Sequence, residues 1–155
     1  MPGERSRSAV GAAGGGGNRE GASAGGVTGF DHVALPMDDA ESMAGFYRRL
    51  GFDVVEGPHL VQVHLADQMI NFHRRATWER EELTLRASAA RPPCGDLCFR
   101  WDRGAEALVA WLGEAGVEIV EGPVERQGGR RLPGTSVYVR DPDGNLLEFI
   151  AYSDR

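Results

Sequence analysis

The stretch GFDVVEGP, residues 51–58, recurs 65 positions later as GVEIVEGP, residues 116–123, with five of its eight letters identical. Each copy follows a segment whose apolar residues recur at helical spacing, and each begins with a glycine, as a left-handed cap at a helix C-terminus predicts. A phrase repeated together with its flanking helix indicates that one structural unit occurs twice in the chain.

The same elements surround both copies. A short strand precedes each helix, HVALPM in the first half and DLCFRW in the second, and the best alignment sets His32 against Asp96. Two more strands follow each copy, LVQVHLA and MINFHR, then SVYVRD and NLLEFIAY; DPDGN, which has turn chemistry at every position, joins the last two. Each half therefore reads β-α-β-β-β, and the predicted fold class is α+β, with two modules enclosing a cleft between curved mixed sheets.

These patterns divide the chain into a tail and a single domain. Residues 1–27, dominated by Gly, Ala, Ser and Arg, predict a disordered tail. The domain is predicted to span residues 28–153. It comprises module one at 30–74, an arginine-rich linker at 75–94 and module two at 95–153.

Composition excludes several classes of function. The formal net charge is −6 and no basic stripe is present, which argues against a nucleic-acid partner. Because all 17 basic side chains are arginines, a Schiff-base lysine and a phosphate-loop lysine are both excluded. No secretory signal and no run of eighteen apolar residues is found, so we expect a cytoplasmic protein without a membrane partner. Cys94 and Cys98 are interpreted as reduced, half-buried thiols on a strand, about 13 Å apart and too distant for a disulfide.

A family resemblance rests on two motifs. HVALPMDDAESMAGFYRRLGF, followed later by DPDGNLLEF, resembles the glyoxalase, bleomycin-resistance and extradiol dioxygenase superfamily, also called the vicinal oxygen chelate proteins. The resemblance covers residues 29–153 and is closest to small stand-alone glyoxalase-domain proteins. It implies one cleft built by two modules, a small-molecule substrate and a homodimer. Members that hold a metal bind it at up to four equivalent strand positions, two in each module.

The residues at these four positions make up the candidate metal site. Strand alternation puts His32 on one face with the small Ala34, and Glu148 is a lone carboxylate among apolar neighbours, which is costly to bury without a cation or a donor. Asp96 occupies the position where metal-binding members usually have histidine. Its carboxylate oxygen shifts the metal preference of the site from zinc toward manganese, iron, nickel or magnesium. On MINFHR, Asn71 matches Glu148, and His73 lies two residues on along the same face. His73 is the better metal ligand and Asn71 could hold a substrate oxygen.

Three functions remain open at this point. The leading hypothesis is a metal-dependent glyoxalase-like isomerase or lyase, in which a divalent ion chelates two adjacent substrate oxygens and Glu148 shuttles a proton. One alternative is an extradiol-type dioxygenase using His32, His73 and Glu148. The other is a metal-free protein that sequesters a ligand, with Phe99 and Tyr138 in the wall of its cleft.

Overall fold

The structure, a computed structural model, describes residues 25–152. Its elements in chain order are β1 (His32–Pro36), α1 (Ala40–Arg49), β2 (Asp53–Glu56), β3 (Leu60–Leu65), β4 (Gln68–His73), α2 (Arg75–Trp78), β5 (Asp96–Trp101), α3 (Gly104–Glu114), β6 (Ile119–Gln127), β7 (Pro133–Arg140) and β8 (Leu146–Tyr152).

The strands form two sheets of the same topology, ordered β1-β4-β3-β2 and β5-β8-β7-β6. In each sheet the first and last strands of a module pair in parallel and the other pairs are antiparallel. The predicted α+β fold with a duplicated βαβββ module is therefore confirmed. Two details differ from the sequence interpretation: the linker contains the short helix α2, and β6 carries register shifts between Ile119 and Val124 that its counterpart β2 lacks.

The repeated phrase begins at the end of a helix in both modules. Gly51 and Gly116 have φ of 82° and 66°, the left-handed conformation that glycine adopts without a Cβ penalty. The residue after each glycine donates its backbone N–H to a carbonyl five residues earlier, Phe52 to Tyr47 and Val117 to Leu112. These bonds satisfy carbonyls that a helix end would otherwise leave unpaired, so the predicted caps are confirmed.

One face of each sheet packs against the helices in a common core. Val33 and Leu35 of β1 pack against this core, while His32 and Ala34 point to the other side, as the predicted alternation requires. The ring of Phe52 in module one lies 5.8 Å from that of Phe99 in module two. The side of each sheet opposite the helices is called the cleft face below.

The DPDGN turn also joins the two modules, which the sequence interpretation did not predict. Asp143 accepts the backbone N–H groups of Asp38 and Asp39, just before α1, at 2.7 and 3.1 Å. Asp141 is buried; it accepts the hydroxyl of Tyr47 at 3.2 Å and the side-chain amide of Asn145 at 2.8 Å. Burial raises the pKa of Asp141 above its ordinary value, and these donors oppose the rise. The turn thereby fixes α1 of module one against module two.

The chain ends lie partly beyond the described region. Most of the predicted tail, residues 1–24, falls outside the described residues, as does the last predicted domain residue, 153. Val27, at the predicted end of the tail, is exposed. Among residues 25–152, no helix is long and apolar enough to cross a bilayer.

Candidate metal and substrate site

The strand register sets up equivalent positions on the two cleft faces. Asn71 of β4 pairs with Ala34 of β1, and Glu148 of β8 pairs with Cys98 of β5. Residues two positions apart on a strand share a face, so His32 is a diagonal neighbour of Asn71, and Asp96 is a diagonal neighbour of Glu148. Each module thus carries one pair of polar side chains at the same place on its sheet.

Asp31 orients the imidazole of His32. Their Nδ1 and Oδ1 atoms are 2.6 Å apart, and both side chains are exposed, His32 by 47%. An N–H donated from Nδ1 to the carboxylate leaves the lone pair on Nε2 and fixes the ring. Carboxylate-held histidines of this kind are typical of metal sites, because the hydrogen bond sets the tautomer and the orientation of the ring.

Glu148 is surrounded by polar groups that sequence spacing does not reveal. Ser136 of β7 donates its hydroxyl to Oε1 at 2.5 Å, and Tyr138, two residues on, lies directly across the ladder from Glu148. Burial raises the pKa of Tyr138, and the charge of Glu148 adds to the rise, while Arg126 opposes it. The guanidinium of Arg126 lies 5.6 Å from the centre of the Tyr138 ring. Tyr138 therefore remains a neutral phenol that can donate a proton beside a carboxylate.

The edge strands β1 and β5 of the two modules border one cavity, and Glu148 is not among its lining residues. The cavity has a volume of about 350 Å³, and its lining includes His32 and Met69 from module one and Asp96 and Cys98 from module two. Cys94 and Cys98 are free thiols and both are exposed rather than half-buried; Cys94 lies before β5 and not within it. In the part of the chain that the structure describes, no three His, Cys, Asp or Glu side chains lie close enough together to hold a metal ion.

Cys98 is expected to be a slow nucleophile. Although the residue as a whole is exposed, desolvation of its thiol by neighbouring groups and the charge of Glu148 raise the pKa of Cys98 from 9.0 to about 12. At pH 8 this leaves about one thiol in ten thousand as the reactive thiolate, against about one in ten at the ordinary value. Since a more basic thiolate is also more nucleophilic, we expect alkylation by iodoacetamide about thirty- to a hundredfold slower than that of a free thiol.

Peptide mass spectrometry over a time course at pH 8 measures this rate. Glu148→Gln removes the negative charge and should accelerate the alkylation of Cys98, while Glu125→Gln, on exposed β6, should leave it unchanged. Labelling of Cys98 in the wild type as fast as a free thiol would contradict the placement of its Sγ beside Glu148.

Module one offers an amide and a second histidine. Asn71 is buried, and its Oδ1 accepts the side-chain amide of Gln62 at 3.3 Å. His73 has a buried Nδ1 without a hydrogen-bond partner, and burial lowers its pKa from 6.5. His73 lines a different cavity, which shares no lining residue with the one that contains His32 and Asp96.

Phe99, an expected wall residue, borders the larger cavity, but its ring packs inward. The ring stacks on Phe149 at 5.2 Å between centroids and also contacts Phe52. Its register partner Phe149 is a buried core residue, so Phe99 lies on the core face of β5. Tyr138, the other expected wall residue, lies on the cleft face beside Glu148.

Comparison with known proteins agrees with this arrangement. The family model of the glyoxalase/bleomycin resistance protein/dioxygenase superfamily matches residues 29–149. The chain belongs to this superfamily. The matched region contains module one and all but the last four residues of module two, including every candidate residue from His32 to Glu148.

The chain is also similar to individual proteins. The chain is 36% identical over 129 residues to a glyoxalase domain-containing protein, RDO1, of Mycosarcoma maydis, covering 83% of this chain and 70% of that one. It is similar to the crystal structure of virulence protein STM3117 from Salmonella typhimurium, with 36% identity and a TM-score of 0.71 over 80% of this chain and 96% of the other. A lactoylglutathione lyase from Agrobacterium tumefaciens shares the fold, at 22% identity and a TM-score of 0.63 over 80% and 93% of the two chains.

Proposed function

We propose that this superfamily member is a metal-dependent glyoxalase-like enzyme that isomerises or cleaves a small substrate bound through two adjacent oxygens. The observation that carries the proposal is the surroundings of Glu148. Its carboxylate stands on the cleft face, held through one oxygen by Ser136 and diagonal to Asp96. An ionised carboxylate has about four acceptor positions on its two oxygens, so the bond from Ser136 leaves positions for a cation or a proton.

The donor set fits a divalent ion. His32 offers Nε2 because Asp31 holds its Nδ1, and Asp96 and Glu148 offer oxygens. A set with one nitrogen and several oxygens favours manganese, iron, nickel or magnesium, with zinc less favoured. His73 suits this role less well, because a metal on Nε2 would force the proton onto a buried Nδ1 that has no acceptor.

A second copy of the chain would complete the site. In one chain the candidate ligands do not form a group of three within the described residues, and His32 and Asp96 are both exposed. Phe30, two residues before His32 in the cavity lining, is 78% exposed, so its ring is available for contact with a second chain. A homodimer in which module one of each chain meets module two of its partner would cover Phe30 and bring His32 to Asp96 and Glu148.

The residues around Glu148 suit proton transfer. The metal, when bound, would stabilise negative charge on the two chelated oxygens. Glu148 would take a proton from the carbon next to a carbonyl and return it to the former carbonyl carbon, while the hydroxyl proton passes from one substrate oxygen to the other, so that the isomerisation needs no other reactant. The neutral hydroxyl of Tyr138 and the amide of Asn71 would hold substrate oxygens.

An extradiol-type dioxygenase remains the alternative within the same fold. It would need two histidines and one carboxylate on iron. His73, the histidine predicted for this role, lies on the cleft face, as does His64, and the unpartnered Nδ1 and separate cavity of His73 weigh against it. We therefore favour the isomerase or lyase hypothesis over the dioxygenase hypothesis.

Turnover measurements separate these functions. We expect the protein loaded with manganese or nickel to convert thiol adducts of small 2-oxoaldehydes, and chelator to abolish the conversion. Catechol turnover with ferrous iron and oxygen uptake would favour the dioxygenase instead. Inactivity on both substrate classes under every metal would contradict the enzymatic proposal.

A further inference from the structure

A second cavity lies on the cleft face of module one, and it shares no lining residue with the cavity that His32 and Asp96 border. It has a volume of about 140 Å³ and forms where the end of β1 and β4 meet the segment that follows α2. Its lining includes Ala34, Pro36, His73, Trp78, Leu83 and Arg86. Neither Glu148 nor any other residue of module two contributes to it.

The size and the wall of this cavity suit one ring. Cavities of about 150 Å³ lined by apolar side chains bind benzene. Trp78 donates its indole N–H to the carbonyl of Met37 at 2.9 Å, so its ring has no unmet donor and serves as a wall of the cavity; the guanidinium of Arg91 lies 6.0 Å from the centre of this ring. Because Leu83 and Pro36 also line the cavity, its interior favours an apolar group the size of a single ring.

Arg86, an exposed residue of the lining, supplies a cation to the cavity. Its guanidinium donates one hydrogen bond to the carbonyl of Ala87 at 3.3 Å, and no carboxylate of residues 25–152 lies within ion-pair distance. The lining contains no Asp or Glu. The Arg86 guanidinium therefore has no carboxylate partner within the protein and lies beside an apolar wall. It can bind the carboxylate of a ligand through two parallel hydrogen bonds.

His73 supplies a neutral donor. A buried N–H without an acceptor is costly, so the unpartnered Nδ1 carries the lone pair and Nε2 carries the proton. Among the described residues, no protein group is hydrogen-bonded to either ring nitrogen of His73. The Nε2–H is thus available to a ligand oxygen.

We propose that this cavity binds a small monocarboxylate with a single aromatic or ring-sized apolar body, its ring against Trp78 and Leu83 and its carboxylate held by Arg86 and His73. The inference goes beyond the proposed function, because it requires neither a metal nor Glu148.

NMR titration of the full chain with benzoate, in excess chelator, tests it. We expect saturable shifts of the Trp78 indole N–H and of the His73 ring nitrogens, with the His73 proton on Nε2 before ligand is added. Benzamide and benzylamine should bind at least about tenfold more weakly, because they lack the negative charge that Arg86 recognises.

Three variants locate the ligand. Arg86→Gln should weaken benzoate binding about ten- to a hundredfold, the loss of a charged hydrogen-bond pair. Leu83→Trp should fill the cavity and abolish binding, and Leu83→Ala should enlarge it and admit naphthoate. Arg80→Gln is the matched control, since Arg80 lies in the same segment, outside the lining, and pairs with Glu82.

The outcomes are distinct from those of the metal proposal. Benzoate binding that persists in Glu148→Gln supports this site whether or not that variant binds metal. Absence of saturable binding in the wild type, or equal weakening by Arg80→Gln and Arg86→Gln, would overturn it. A thermal unfolding curve shows whether Leu83→Trp folds. If it does not, the decision rests on Leu83→Ala: absence of naphthoate binding in that variant would reject the site.

Discussion

Replacement of Glu148 by glutamine is expected to lower kcat/KM by about a hundredfold to ten-thousandfold, the range that a positioned general base contributes. Glutamine keeps an oxygen that can accept the Ser136 hydroxyl, so the local fold should persist. It loses the negative charge that binds a cation and the basic oxygen that takes the proton. Steady-state kinetics on the substrate identified in the turnover screen measure the effect.

The control for Glu148→Gln is Glu125→Gln, an exposed glutamate on β6 of the same module. We expect it to retain wild-type kinetics and thermal stability. An unchanged kcat/KM in Glu148→Gln would show that this residue does not shuttle the proton. A loss of equal size in Glu125→Gln would show that the net charge of the protein, rather than the position of Glu148, causes the loss of activity.

Mixing two inactive variants should restore activity. If each site takes His32 from one chain and Asp96 and Glu148 from its partner, a heterodimer of His32→Ala and Glu148→Gln contains one site with both changes and one site that is intact. The heterodimer, purified through two different affinity tags, should regain about half of the wild-type turnover per dimer, while each homodimer stays inactive.

The same experiment distinguishes a site shared between two chains from a site formed within one chain. With all ligands from one chain, every site in the heterodimer carries one defect and no activity returns. A heterodimer of His32→Ala with Asp31→Ala, both in module one, is the negative control, because each of its sites would lack an intact His32 pair under either arrangement. If this control regained activity, the activity would have to come from contaminating wild-type chains rather than from a restored site.

The features predicted well are those that local pattern determines. Helical periodicity and glycine position locate both helices and their caps at Gly51 and Gly116, and strand alternation separates Val33 from His32. The equivalence of Asn71 and Glu148 follows from aligning the two halves, because duplicated modules keep their register.

What the sequence did not reveal depends on distant segments. Ser136 reaches Glu148 across the β7–β8 ladder, and the pairing of Asp143 with the start of α1 joins residues about a hundred positions apart. A serine two residues before a tyrosine on the strand paired with NLLEF was the available signal for the first contact. The cavity at His73 needs the path of residues 79–90, which no periodicity specifies.

Metal content tests the central claim most directly. Protein purified without chelator is incubated with manganese, iron, nickel or zinc, desalted and analysed by elemental mass spectrometry, for the wild type, His32→Ala, Glu148→Gln and Glu125→Gln. We expect close to one divalent ion per chain in the wild type and in Glu125→Gln, and little in the other two variants. A wild type that retains no metal under any of these conditions, or a Glu148→Gln variant that retains as much as the wild type, would contradict a metal site at Glu148.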